Sequence, residues 1–337
     1  MEAWLYQGMP DQRVRCRLCS HHCVIDSGSR GICGVRENRN GVLETHVYGR
    51  LIAAGDDPIE KKPIFHLMPG SRSFSIATVG CNFKCRFCQN ADIAQMPADR
   101  EGAIAGDPTP PEQVVSAARQ RGCASIAYTY TEPTVFFEFA CDTAHLAHRQ
   151  GLKNIFVTNG YMSAAALERV SPWLDAANVD LKAFSDTFYK QQCGARLEPV
   201  KATLRRMKRL KIWVEVTTLV IPGLNDDPEE LSRLADFIAG DLGPETPWHV
   251  SRFHPTYRLK DRGPTPVETL IQAKEIGVSA GLKYVYTGNI PCQGGEDTRC
   301  SGCGEVMITR RGFRIVENRL KEGRCGGCGT VMDGVGM

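Results

Sequence analysis

From residue 73 to residue 286, short apolar runs rich in β-branched and aromatic side chains alternate with amphipathic stretches of helical period. This alternation is the tightest constraint on the fold. Strands that return after a helix pair in parallel, so the pattern predicts an α/β protein built on a parallel sheet or barrel. Strands are predicted over residues 73–79, 124–130, 154–158, 177–181, 212–220, 248–253 and 284–286. Helices are predicted over residues 110–121, 134–150, 164–170, 200–210, 228–239 and 267–280. For the first helix, Thr109 reads as the N-cap, Pro110 sits in the first turn and Gly122 follows the end. Six to seven units fall short of a closed eight-fold barrel.

In such sheets ligands bind beyond the carboxyl ends of the strands. The residues placed there are Cys81, Thr131-Glu132-Pro133, Asn159-Gly160, Lys182, Ile221-Pro222-Gly223-Leu224-Asn225 and His254-Pro255, after the first six strands in turn. Each also has an ordinary structural explanation. A glutamate before proline caps a helix, and His254 between Phe253 and Pro255 fits a partly buried histidine. Asp180 and Lys182 lie two apart and so point to one side of a strand, where a buried ion pair needs a reason. Their coincidence on one rim favours a site.

The chain has 15 cysteines in 337 residues, eleven of them in three tight clusters. Cys81-x-x-x-Cys85-x-x-Cys88 supplies three thiolates from one loop, one ligand short of a closed site. A cube-shaped iron–sulfur cluster held there keeps one iron open; a structural metal completed by a distant ligand is the alternative. Cys16, Cys19, Cys23 and Cys33 supply four thiolates for zinc or for a second iron–sulfur cluster, with His21 and His22 between them reading as solvated loop residues. Cys300-x-x-Cys303-Gly304 and Cys325-x-x-Cys328-Gly329 flank a strand-rich insert over residues 305–317 and read as a zinc-ribbon or rubredoxin-like site for zinc or iron. Glycine after the second cysteine of each pair lets backbone amides turn toward sulfur. Cys123 and Cys141 sit in core-like surroundings, Cys193 reads as a buried thiol, and Cys292 has no evident partner.

Residues 1–70 read as a Cys-rich extension, 71–295 as the βα core and 296–337 as the C-terminal metal module. Within the first, residues 36–70 are extended and turn-rich, with a strand over 42–47 after an Asn40-Gly41 turn. Glu60-Lys61-Lys62 reads as a solvated charged patch. The basic run Lys201, Arg205, Arg206, Lys208, Arg209 and Lys211 reads as a solvated helix face, with docking of an acidic partner as the alternative. A net charge of +3 argues against nucleic acid or an anionic membrane as partner. No signal peptide and no run of about 18 apolar residues is present, so a cytoplasmic chain with reduced, metal-binding thiols is expected.

The three-cysteine spacing, with Phe87 just before the third cysteine, resembles the signature of the radical S-adenosylmethionine (SAM) superfamily. Tyr130-Thr131-Glu132-Pro133-Thr134, Val157-Thr158-Asn159-Gly160-Tyr161, Asp180-Leu181-Lys182, Ile221-Pro222-Gly223-Leu224-Asn225 and Phe253-His254-Pro255 resemble the pyruvate formate-lyase activating enzyme branch. Over nearly its whole length, both cysteine-rich ends included, the chain resembles the AmmeMemoRadiSam system radical SAM enzymes.

The resemblance implies a partial (β/α)6-type barrel, with a [4Fe–4S] cluster on Cys81, Cys85 and Cys88. The cluster reductively cleaves SAM to a 5′-deoxyadenosyl radical that abstracts hydrogen. It further implies that Glu132 holds the SAM amino group, that Asp180 and Lys182 contact its ribose or carboxylate, and that Phe87, Asn159 and His254 line the cofactor. Thr131-Glu132-Pro133 departs from the activases' Gly-Gly-Glu but keeps the carboxylate. Implied partners are a flavodoxin or ferredoxin reductant and a protein substrate or Memo-type pathway partners. The substrate is a small molecule or a protein, with activation of a glycyl-radical enzyme as one alternative. A non-catalytic interaction protein with zinc at all three clusters is the alternative of another class.

Overall fold

The computed structural model describes residues 1–290 and 294–337; Cys292 lies outside the described residues. Eight strands form the main sheet: β1 (Ala53–Pro58), β2 (Arg72–Ala77), β3 (Ser125–Tyr128), β4 (Lys153–Thr158), β5 (Ala176–Asp180), β6 (Trp213–Val220), β7 (Trp248–Arg252) and β8 (Val285–Gly288). Their spatial order follows the chain, and β2 to β8 are all parallel. The expected α/β architecture with a parallel sheet is what the chain adopts. The two edge strands do not pair with each other, so the barrel stays open.

The strands are buried on both faces, as parallel strands covered by helices are; Ile126, Ala127 and Tyr128 of β3 are fully buried. The helices α1 (Pro111–Gln120), α2 (Phe137–Arg149), α3 (Ala164–Val170), α4 (Leu197–Arg209), α5 (Pro228–Phe237) and α6 (Val267–Ser279) supply the outer layer. Two local expectations are corrected. The N-cap of α1 is Pro110, not Thr109, whose hydroxyl donates instead to the Asp107 carbonyl at 3.1 Å. The stretch from Pro133 begins as a 3-10 turn, Pro133–Phe136, because Glu132 caps it by accepting from the Thr134 amide.

The lead-in contributes β1, which pairs antiparallel to β2 and closes one edge. Its charges are not solvated as expected. Glu60 and Lys62 are each 1% exposed, because partners inside the protein replace water. Lys62 Nζ lies 2.6 Å from Asp57, and Glu60 accepts from the Gly70 amide at 2.9 Å and faces Arg310 at 3.6 Å. Lys61 stays at the surface, paired with Asp57 at 2.8 Å.

The N-terminal block is a small antiparallel sheet plus the hairpin Arg36–Arg39/Val42–Thr45, turned at Asn40-Gly41 with both residues at positive φ, as such a turn requires. Arg36 locks this block to α2 through a two-pronged ion pair with Glu138, 2.6 Å at the closer oxygen and 1% exposed on both sides. Breaking one partner of such a pair costs on the order of 3–5 kcal/mol.

The C-terminal module folds as the hairpin β9 (Val306–Arg311) and β10 (Arg314–Asn318) with its cysteines beside it. It packs under the barrel through its own core, where Phe65, Tyr284 and Tyr286 meet Met307 and Ile308. Arg310 places its guanidinium 4.2 Å from the Phe65 ring centroid and donates to the Phe65 carbonyl at 3.0 Å. Four of the six cations of the basic run are matched internally: Lys201 pairs with Glu198, Arg205 with Asp241, Arg206 with Glu168 and Lys208 with Glu245. Those pairs favour the solvated-face reading over docking.

Candidate functional site

The loop after β2 carries Cys81, Cys85 and Cys88, and all three line a cavity of about 450 Å³ inside the open barrel. That volume is in the range of small-molecule and cofactor sites. The loop is held in place from several sides. The amides of Lys84 and Arg86 donate to the carbonyls of Cys193 and Gln192 at 2.8 and 3.0 Å, and the Phe83 amide points at Cys81 Sγ at 3.3 Å. Cys193 belongs to a π-helical turn, Tyr189–Cys193, ended by Gly194 at φ +68°. Its thiol is fully buried, and its influence together with burial pushes the Cys85 thiol up. Burial likewise raises Cys81 and takes Cys88 to about 11. Metal binding at these thiols therefore releases protons.

Phe87, Glu132, Asn159, Asp180 and Lys182 line the same cavity. Lys182 Nζ meets Asp180 at 2.9 Å and sits 5.7 Å from the Phe87 ring centroid. Burial works against its charge, but the Asp180 carboxylate, the largest of the opposing influences, holds Lys182 above its ordinary value. Asn225, from the loop after β6, fixes the backbone beneath: its amide donates to the Lys182 carbonyl at 2.6 Å and to the Leu219 carbonyl at 2.9 Å. Asn159 Nδ2 donates to Asn82 Oδ1 at 2.7 Å and approaches Cys81 Sγ at 3.9 Å.

Glu132 is 1% exposed and its acceptor positions are filled from within. Oε1 accepts from the Thr134 amide and hydroxyl and from the Thr158 hydroxyl, and Oε2 accepts from the Asn159 amide at 2.8 Å. Burial raises its pKa against these four donors. Its visible work is to tie the loops after β3 and β4 together beside the cysteines. His254 lies elsewhere. β7 ends at Arg252, Phe253 takes the buried position, and His254 is exposed outside the cavity.

Apart from Asp180 and Tyr130, the far half of the cavity was not legible in the motifs. Parallel register aligns Asp180, Thr217, His249 and Tyr286 in one row across β5 to β8, and all four line the cavity. His249 Nε2 is 2.7 Å from the buried Glu215, and Thr217 Oγ1 has no hydrogen-bond partner. Lys62 and Tyr130 complete this side, with Tyr130 at φ +63° and its hydroxyl bonded to Asp57. Burial brings Lys62 down to about 8 although Asp57 opposes the shift. Phe313, at the turn between β9 and β10, adds a half-exposed apolar wall from the C-terminal module. Alternation within β7 was the available signal for His249; a strand residue attracts less notice than one just past a strand's end.

Two further cysteine sets complete the picture. The sulfurs of Cys300, Cys303, Cys325 and Cys328 lie within 4.8 Å of one another, the arrangement for one tetrahedral metal ion. The amides aimed at sulfur there are those of Gly302 and Gly327, at 3.3 and 3.4 Å, while Gly304 and Gly329 supply positive φ at the turn. Cys16, Cys19, Cys23 and Cys33 line one small space beneath the thiol loop. His21 is not the solvated loop residue expected: its Nε2 bonds the Asn82 carbonyl at 2.8 Å and its ring packs on Tyr161. His22 is exposed. Among the described residues no helix is long and apolar enough to cross a membrane.

A family profile described as the Radical SAM superfamily matches residues 75–235. The uncharacterized protein MJ0808 of Methanocaldococcus jannaschii is 46% identical over 312 residues, spanning 93% of this chain and 92% of that protein. Pyruvate formate-lyase 1-activating enzyme of Escherichia coli K12 is 24% identical over 237 residues, which cover 65% of this chain and 93% of the enzyme. A radical SAM methyltransferase from Sphaerobacter thermophilus shares the fold, with a TM-score of 0.51 at 16% identity over 71% of each chain. The chain belongs to the radical SAM superfamily and is related to the pyruvate formate-lyase activating enzymes.

Proposed function

We propose that this protein is a radical SAM enzyme that abstracts hydrogen from a polar substrate held in the far half of its barrel cavity. The reading rests on one observation. Cys81, Cys85 and Cys88 face the same 450 Å³ cavity as Lys62, Thr217, His249 and Tyr286. The donor set fits the family's [4Fe–4S] group: Cys81, Cys85 and Cys88, three soft thiols from one loop, would hold three of its irons and leave the fourth without a protein ligand. When bound, that group supplies the electron that cleaves SAM to methionine and a 5′-deoxyadenosyl radical.

The chain's own residues do the rest. Phe87, Asn159, Asp180 and Lys182 form the SAM side, with Lys182 offering its charge to a carboxylate and Asp180 accepting from ribose hydroxyls. Glu132 positions the Asn159 loop. His254, outside the cavity, has no part in this proposal. Thr217, whose hydroxyl has no partner within the protein, offers a hydrogen bond to the substrate, while Tyr286, its hydroxyl held by His66 and Thr298, presents its ring as wall; the enclosing walls exclude water from the reacting atoms.

Activation of a glycyl-radical protein is the second reading, favoured by the named relatives. Against it, the match to the E. coli activase leaves about a third of this chain outside, and Phe313, which lies beyond residues 75–235 matched by the family profile, walls the cavity. Anaerobic reconstitution, followed by dithionite and SAM, tests the proposal by the release of 5′-deoxyadenosine. Loss of that release in Cys85→Ala is expected. Unchanged release in the variant, or a wild-type protein that binds only zinc, refutes the reading.

A further inference from the structure

We propose that Cys16, Cys19, Cys23 and Cys33 hold a second iron–sulfur cluster, and that zinc is not the metal of this site. The assignment does not depend on the radical reaction or its substrate.

The molecule contains its own calibration. A single zinc ion at about 2.3 Å from each thiolate draws four sulfurs to about 3.8 Å from one another. The C-terminal set has this compact form, with Cys300 and Cys328 sulfurs at 3.5 Å and Cys303 and Cys325 sulfurs at 3.7 Å. Among the described residues, that set is the one group of three or more metal-ligating side chains whose ligand atoms all lie within 4.8 Å. Cys16, Cys19, Cys23 and Cys33 surround one space, yet no three of their sulfurs approach one another that closely. In this they match Cys81, Cys85 and Cys88, the family's cluster ligands. A cluster spreads its thiolates over separate iron atoms and therefore needs the wider spacing.

A second observation is independent of spacing. Arg36 and Asn82 line the same space, and each is 1% exposed. Arg36 Nε and Asn82 Nδ2 are buried donors without a partner. Orphaned buried donors cost on the order of 1–3 kcal/mol each and call for an explanation. The inorganic sulfides of a cluster accept such N–H bonds, and those bonds tune its potential.

The site also adjoins the thiol loop. Gly80, at φ +99°, has no room for a side chain, since a Cβ there falls 3.1 Å from the Cys33 carbonyl and 2.5 Å from Val35. Asn82 is one residue from Cys81 and hydrogen-bonded to His21.

Acid-labile sulfide and metal analysis of the anaerobically reconstituted full chain decides the matter. One cluster accounts for about four sulfides per chain; a second raises the count to about eight if cubane and about six if [2Fe–2S]. In the triple variant Cys81→Ala/Cys85→Ala/Cys88→Ala, sulfide and a reduced-state paramagnetic signal persist, while Cys16→Ala/Cys33→Ala in the wild-type background removes the extra sulfide. A wild-type count of about four sulfides with two zinc ions per chain overturns the proposal, and that count requires no variant to fold. Persistence of sulfide in the triple variant also separates this result from any failure of SAM cleavage.

Discussion

The C-terminal cysteine site and the thiol loop in the barrel bind metal-ligand chemistry into the fold in opposite ways. At the C-terminal site two short Cys-x-x-Cys turns make nearly everything themselves: their own glycine amides reach the sulfurs, and Cys303 and Cys328 remain exposed. At the thiol loop the cysteines sit on one turn, but what holds them comes from far along the chain. Cys193, Gln192, Asn159 and the N-terminal block through His21 all bear on that loop. A locally built site tolerates change around it. A site assembled from distant segments transmits damage from any of them.

Five measurements test this contrast. The largest effect is expected from Cys85→Ala, which should reduce 5′-deoxyadenosine release to the level of a protein-free blank, whereas Cys325→Ala should leave the release in place and lower only the denaturation midpoint. Arg36→Ala, distant in sequence from the thiol loop, should destabilise the protein by about 3–5 kcal/mol in urea unfolding, because it strands the buried Glu138 carboxylate. Partial recovery in Arg36→Met/Glu138→Leu would tie that loss to the uncompensated charge.

Glu132→Gln should cost about 1–3 kcal/mol, since an amide NH₂ cannot accept from the donors that now converge on the carboxylate. An unchanged midpoint there would contradict the loop-tying role.

Lys62 gives a pH signature. Its folded pKa is lowered to about 8, while an unfolded lysine keeps its proton to about 10.4. Between those values the unfolded chain binds more protons, so this group makes stability rise with pH, by roughly 3 kcal/mol at most. Below about 8 the burial cost is fully present. Lys62→Met should flatten the slope of unfolding free energy across that window, and an unaltered slope would rule Lys62 out as its source. The smallest change is expected for Arg206→Ala on the exposed face of α4, where loss of the Glu168 pair should cost less than about 1 kcal/mol.

Much of this was legible in the sequence. The βα alternation predicted the parallel sheet, and all seven predicted strands correspond to β2 through β8 within a few residues. The order of residues at strand ends placed Cys81, Asn159 and Lys182 on one rim, and they meet in one cavity. Each of these depends on local period or on position in a repeating unit, which a linear chain displays openly. His254 lay outside because the strand ended before it and Phe253 took the buried place. Lys62 and Glu60 read as solvated because their partners, Asp57 and Arg310, make burial tolerable only after folding.

Fold class, family resemblance and the three sets of thiols follow from the order of residues, because spacing and hydrophobic period are properties of neighbours along the chain. Packing in three dimensions sets which thiols stand close and which stand apart, and which charges are buried. It also brought His249, Tyr286 and the hairpin turn at Phe313 to the same cavity as the cysteine loop. Those outcomes depend on register across β5 to β8 and on how the two cysteine-rich ends pack against the barrel, distances in space that the order of residues does not contain.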